Sequence, residues 1–109
     1  MGIAEYGRLD GVGMAELVRL GELTARELVD EAIARIERVN PRLNAVVERL
    51  FDRARERAGA GVPDGAFQGV PFATKNLLAP IAGVRIDGGS RLSNVDIIAI
   101  KLGALTQVP

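Results

Sequence analysis

Gly69-Val70-Pro71-Phe72-Ala73-Thr74-Lys75-Asn76-Leu77-Leu78 is the stretch on which the reading of the fold turns. From residue 70 to residue 78 it is nearly continuous in apolar character rather than alternating, the pattern of a strand buried on both faces. Pro71 has no N–H for a ladder, so it belongs at the beginning of such a strand or at an edge. A doubly buried strand needs neighbouring strands and covering helices. The chain offers only a couple of other short candidates, which would leave backbone edges unpaired. The pattern therefore predicts an α/β fold, with this sequence as the front part of a larger α/β domain.

Inside the run stands Lys75. Of 14 basic residues 12 are arginine, and the only lysines are Lys75 and Lys101. Arginine does not usefully lose its proton, whereas burial disfavours the charged form of a lysine. A lysine in an apolar, strand-like segment is a candidate general base. The plainer reading is a strand-end lysine whose amine reaches water along an apolar stem.

Composition narrows the chemistry. The 109 residues make at most one ordinary domain, and 48% of them are hydrophobic, enough to bury a core. Acidic and basic residues balance at 14 each, so no basic face for nucleic acid is implied. The aromatics are only Tyr6, Phe51, Phe67 and Phe72, which leaves little for base stacking. With no cysteine and no histidine, disulfides, thiolate catalysis and serine–histidine pairs cannot be built, and no metal site is expected. No apolar run approaches a membrane span, and Glu5 and Asp10 do not suit a secretory signal. A cytoplasmic protein is expected.

Upstream of the apolar run the chain reads as helical. Residues 1–10 form a loosely held lead-in. Met14, Leu17 and Val18 recur at helical spacing, and Gly21 suits a C-terminal stop. Thr24 and Glu27 form a T-x-x-E capping box. Behind it Ala25, Leu28, Val29, Ala32, Ile33 and Ile36 fall on one stripe, and Arg26, Asp30, Glu31, Arg35, Glu37 and Arg38 on the other face. Pro41 predicts an end near Asn40. Asn44 to Val47 reads as a short strand or the lead into a third helix. Arg49 to Ala60 reads as an exposed helix with an apolar edge at Leu50, Phe51, Ala54 and Ala58, its arginines offset by Glu48, Asp52 and Glu56. Residues 59–69 and 79–91 are rich in glycine and proline and read as loops. Val95 to Leu105 is a second apolar stretch of undecided type.

The order of these segments carries a resemblance. Asn40-Pro41-Arg42-Leu43-Asn44-Ala45-Val46 is followed by Phe67-Gln68-Gly69-Val70-Pro71-Phe72-Ala73-Thr74-Lys75-Asn76, and then by Gly88-Gly89-Ser90-Arg91. Over about residues 12 to 91 the chain resembles the N-terminal part of the amidase signature family. The resemblance implies an α/β/α fold with helices packed on a mixed sheet. It also implies hydrolysis of a carboxylic amide, or transfer of its nitrogen, by a serine–cis-serine–lysine triad without a cofactor. Lys75 matches the catalytic lysine, which takes the proton passed from the nucleophilic serine and returns it to the leaving amine. Gly88, Gly89 and Ser90 match a glycine–serine turn at the substrate side of the site, and equally suit an ordinary surface turn.

The chain departs from that pattern in two places. The family's glycine- and serine-rich segment is absent, since the only serines are Ser90 and Ser93, and Asn76 stands where aspartate commonly follows the lysine. The expectation is a partial amidase domain over residues 1–109. It comprises N-terminal helices over 12–60, a lysine strand and glycine-rich turn over 69–91, and a tail over 92–109 in which the match fades. The implied substrate is a small-molecule amide of the complete enzyme. The chain alone is expected to be inactive, as a truncated or partial amidase. The competing reading is a non-catalytic binding or assembly module, or one component of a split amidase or amidotransferase. Such a module would meet a protein partner, or itself, through exposed strand edges.

Overall fold

A computed structural model describes residues 3–75 and 81–85. Among these residues three helices follow one another: α1 over Gly11–Arg19, α2 over Ala25–Leu43 and α3 over Phe51–Ala60, preceded by a 3-10 turn at Tyr6–Arg8. The chain divides into two units, Met1–Phe72 and Ala73–Pro109, and all of these helices belong to the first.

Each helix end has a local cause. Asp10 caps α1 by accepting the Gly13 N–H at 2.7 Å. At the other end the Gly21 N–H donates to the Val18 carbonyl and the Glu22 N–H to the Leu17 carbonyl. Gly21 sits at φ 75°. This is a Schellman stop, which needs a residue tolerant of left-handed backbone. Thr24 then opens α2. Its hydroxyl oxygen accepts the Glu27 N–H at 3.1 Å and its O–H donates to the Glu27 carboxylate at 3.1 Å.

The expected end at Asn40 is corrected: α2 runs through Pro41 to Leu43. Proline's bias against helix at the preceding residue is a preference, and here tertiary bonds outweigh it. The buried Asn40 side chain donates to the Val46 carbonyl and accepts the Val46 N–H, each at 2.9 Å. Asn44, at φ 48°, ends the helix by donating its N–H to the Asn40 carbonyl. Asparagine enters this left-handed region more readily than most residues.

Among the described residues the buried apolar side chains are few: Met14 and Ala15 on α1, and Ala25, Leu28, Val29 and Ile33 on α2. α3 lies antiparallel to α2. Arg55 donates to Asp30 at 3.0 Å, and Gly59, one turn later, lies beside Arg26, one turn earlier. Asp30 also accepts from Arg26, and the Arg55 hydrogen bond is the main cause that holds its carboxyl below the ordinary range.

The lead-in is also tied down. The Arg35 guanidinium donates to the Ile3 carbonyl at 3.3 Å and lies 5.0 Å from the centre of the Tyr6 ring. Its Nε donates to the buried Glu31 carboxylate at 2.7 Å, and that bond is the main cause that lowers the Glu31 pKa. Burial is the main cause that raises the Tyr6 phenol.

The expected α/β fold with a mixed sheet is overturned. Among the described residues there is helix and no strand. Asn44 to Val47 is a connecting loop, and residues 70–75 form no ladder; Phe72 is 86% exposed. An apolar run becomes a strand only when a second segment pairs with it, and the described residues supply none. Residues 76–78, the rest of the expected strand, lie outside the described residues.

Candidate functional site

The residues leading to Lys75 are fixed on the helices by a turn over residues 65–69. Within it the Gln68 N–H donates to the Gly65 carbonyl and the Val70 N–H to the Phe67 carbonyl. Arg19, the last residue of α1, donates from Nη1 to the Gly65 carbonyl at 3.2 Å. The Phe67 ring covers Gly11, where an added Cβ would stand 3.0 Å from it.

Gly69 makes a second close approach. It has φ 75°, and a Cβ there would stand 3.2 Å from the Ala25 Cβ and from both Val18 methyls. Only glycine meets both conditions at once. The chain is thus held against the start of α2 and both ends of α1 up to Val70, five residues before Lys75.

Lys75 itself is exposed and lies outside any regular element. It belongs to the second unit, Ala73–Pro109, as does a turn at Ile81–Val84 closed by the Val84 N–H on the Ile81 carbonyl. Gly88, Gly89 and Ser90 lie outside the described residues. Among the described residues no group of three or more acidic side chains could hold a metal ion. No helix among them is long and apolar enough to cross a membrane.

Two positions escape a reading by residue type. Arg19 carries no sequence signal that would single it out from eleven other arginines. Asn40 did carry one, as the first residue of the Asn-Pro motif, but its hydrogen bonds to Val46 give the motif a folding role rather than a chemical one.

No protein-family profile matches the chain, and no solved structure does. Individual proteins do match. Over 68 residues the chain is 43% identical to the 6-aminohexanoate-cyclic-dimer hydrolase of Paenarthrobacter ureafaciens, which covers 62% of this chain and 13% of that enzyme. It is 44% identical over 71 residues to AmiC of Mycobacterium tuberculosis (strain ATCC 25618 / H37Rv), a protein named as an amidase, covering 64% of this chain and 15% of the relative. With the A component of the glutamyl-tRNA(Gln) amidotransferase of Granulibacter bethesdensis it shares 37% identity over 81 residues, 69% of this chain and 16% of the relative.

A continuous match over 69% of 109 residues takes in residues 35–75 wherever it begins, so both the Asn40 motif and Lys75 fall inside it. The chain spans only 13–16% of the length of these relatives. Over 62–69% of its own length, then, the chain is similar to a segment of amide hydrolases and of an amidotransferase component.

Proposed function

We propose that this chain contributes the lysine and its helical support to an amide-hydrolysing site of the serine–cis-serine–lysine kind. The observation that carries the reading is the match itself: relatives named as amide hydrolases are 43–44% identical to it over 68–71 residues. In this role the Lys75 amine accepts the proton that a bridging serine passes on from the nucleophile. It then returns that proton to the departing amine. No cofactor is needed, since the chemistry is proton transfer and acyl transfer. Gly88, Gly89 and Ser90 would border the substrate.

The 109 residues alone do not complete such a site. Ser90 and Ser93 are the only serines, and neither lies in a glycine- and serine-rich segment. Lys75 is exposed, whereas a lysine serves as a base where burial disfavours its charge. Both points support an inactive chain that requires a nucleophile-bearing polypeptide around Lys75. The reaction proposed for the completed protein is hydrolysis of a small carboxylic amide in the cytoplasm.

The test is a chimera in which residues 12–91 replace their counterpart in the Paenarthrobacter ureafaciens hydrolase. It should hydrolyse the cyclic dimer, and Lys75→Ala should lower kcat/KM by about 10³-fold or more, as loss of one member of a catalytic relay does. Activity indifferent to Lys75→Ala would sink the proposal. The isolated 109-residue chain should hydrolyse nothing.

A second reading, an assembly module, is favoured by one observation. Relatives at 37–40% identity are named as one component of an amidotransferase, so they work as parts of an assembly. The two readings separate on Lys75: a module that only assembles would keep its partner after Lys75→Ala and never show amide hydrolysis.

A further inference from the structure

Both backbone groups of Ile3 are bracketed by one ion pair on α2. Glu31 and Arg35 stand one turn apart on that helix. The Glu31 carboxylate accepts the Ile3 N–H, and the Arg35 guanidinium donates to the Ile3 carbonyl at 3.3 Å. The 2.7 Å bond from Arg35 Nε to Glu31 joins the two side chains. The same guanidinium lies 5.0 Å from the centre of the Tyr6 ring, and its Nη1 lies 3.4 Å from where a Cβ on Gly7 would stand. Burial contributes little to this attachment: none of Tyr6, Gly7 and Arg8 is buried, and Ile3 is only partly so. The bonds from the Tyr6 N–H to the Ile3 carbonyl and from the Arg8 N–H to the Glu5 carbonyl shape the turn without tying it to a helix. From Asp10 onward the chain is held separately, by the cap on Gly13. Hydrogen bonds to ionised groups are the strong ones, so the attachment depends on the charge of Glu31.

We propose that residues 3–8 form a strap latched to α2 by the Glu31–Arg35 pair and released when Glu31 takes up a proton, with the helices left in place. The inference is independent of the amide-hydrolase reading. The charged and titratable groups that act on Glu31 are Arg35 and Arg38 on its own helix and Tyr6 on the strap. Among the described residues its ion pair is with Arg35. The Arg35 bond first, and then the Ile3 N–H, hold the carboxyl below the ordinary 4.5. A carboxyl lowered in this way keeps the latch closed at neutral pH and opens it as pH falls through the folded value, below 4.5. The arginines stay charged in that range, and the Tyr6 phenol, raised by burial, stays neutral.

Tyr6 is the only tyrosine and the chain has no tryptophan, so its fluorescence reports on the strap alone. The test follows acrylamide quenching of Tyr6 in the full chain from neutral to acid pH, beside the helical circular dichroism. The quenching constant should rise at least about twofold while the helical signal holds, as for a local opening. The midpoint should lie below pH 4.5. Glu31→Gln should show the raised quenching already at neutral pH, with no dependence on pH. Arg35→Ala, at a partly exposed position, should do the same and makes the comparison should Glu31→Gln lose its helical signal. Quenching that stays flat with pH, or that rises only together with loss of helix, overturns the inference. So does a variant whose pH profile matches that of wild type.

Discussion

Asn40 is buried, and its amide exchanges two hydrogen bonds with the backbone of Val46. Asn40→Ala removes both and leaves the Val46 N–H and carbonyl to find other partners. A net bond is worth about 1 kcal/mol and an unsatisfied buried group costs about 1–3 kcal/mol more. Asn40→Ala should therefore destabilise the chain by roughly 2–4 kcal/mol in urea denaturation; a loss under about 0.5 kcal/mol would mean the bonds do not form. Glu31 makes a different kind of residue prediction. Its bond from Arg35 holds its folded pKa below the ordinary 4.5. A group depressed in this way stabilises the fold above its unfolded pKa, and the contribution disappears as pH falls through the folded value. Melting temperature should thus fall more steeply below pH 4.5 in wild type than in Glu31→Gln; parallel curves would remove Glu31 from the account. Neither role is legible from residue type. Asn40 stood out as part of a motif, but only the structure shows that its partner is a peptide six residues on. Glu31 read as one more charge on the polar face, because the Ile3 backbone that also bonds it lies far away in sequence.

At the scale of elements, two glycines share one dihedral and differ in surroundings. Gly21 and Gly69 both have φ 75°, but a Cβ on Gly21 meets nothing within 4 Å while one on Gly69 meets Ala25 and Val18 at 3.2 Å. Gly21→Ala should cost only the left-handed backbone term, about 1 kcal/mol. Gly69→Ala adds an overlap with two helices, so it should cost at least about 1 kcal/mol more, in the range of overpacking. It should also speed amide hydrogen exchange at Gln68 and Val70, whose N–H groups close the turn. Equal costs at the two sites would show that the turn is not packed against α1 and α2. Helix positions were largely readable, because their causes are local: the Thr24 and Glu27 pair, the stripe through Ile33, and the Gly21 stop all act within a few residues. The end of α2 was not, because Pro41 signals a break only until the Asn40 bonds beyond the helix are counted. The turn over 65–69 read simply as loop, since its hold on α1 through Arg19 joins residues 46 apart.

For the whole molecule, the expected sheet failed for a reason no single segment reveals. A helix carries its hydrogen bonds within itself, while a strand shares them with a neighbour. The apolar run from Val70 announced burial but not what would bury it. Among the described residues, the six buried hydrophobic ones, from Met14 to Ile33, and the three helices lie within the unit Met1–Phe72. So small a core gives marginal stability, a few kcal/mol at most in a chain of this size. It also assigns that stability to one part of the sequence. A chain ending at Phe72 should keep the helical circular dichroism of the full chain and unfold in urea with a free energy within about 1 kcal/mol of it, the scatter of ordinary surface changes. Leu28→Ala, which removes the one fully buried large side chain among the described residues, should cost about 2–5 kcal/mol in either length and leave both largely unfolded. If the shorter chain is unfolded while the full chain melts cooperatively, residues after Phe72 take part in the core, and the helices do not stand on the burial that α1 and α2 provide.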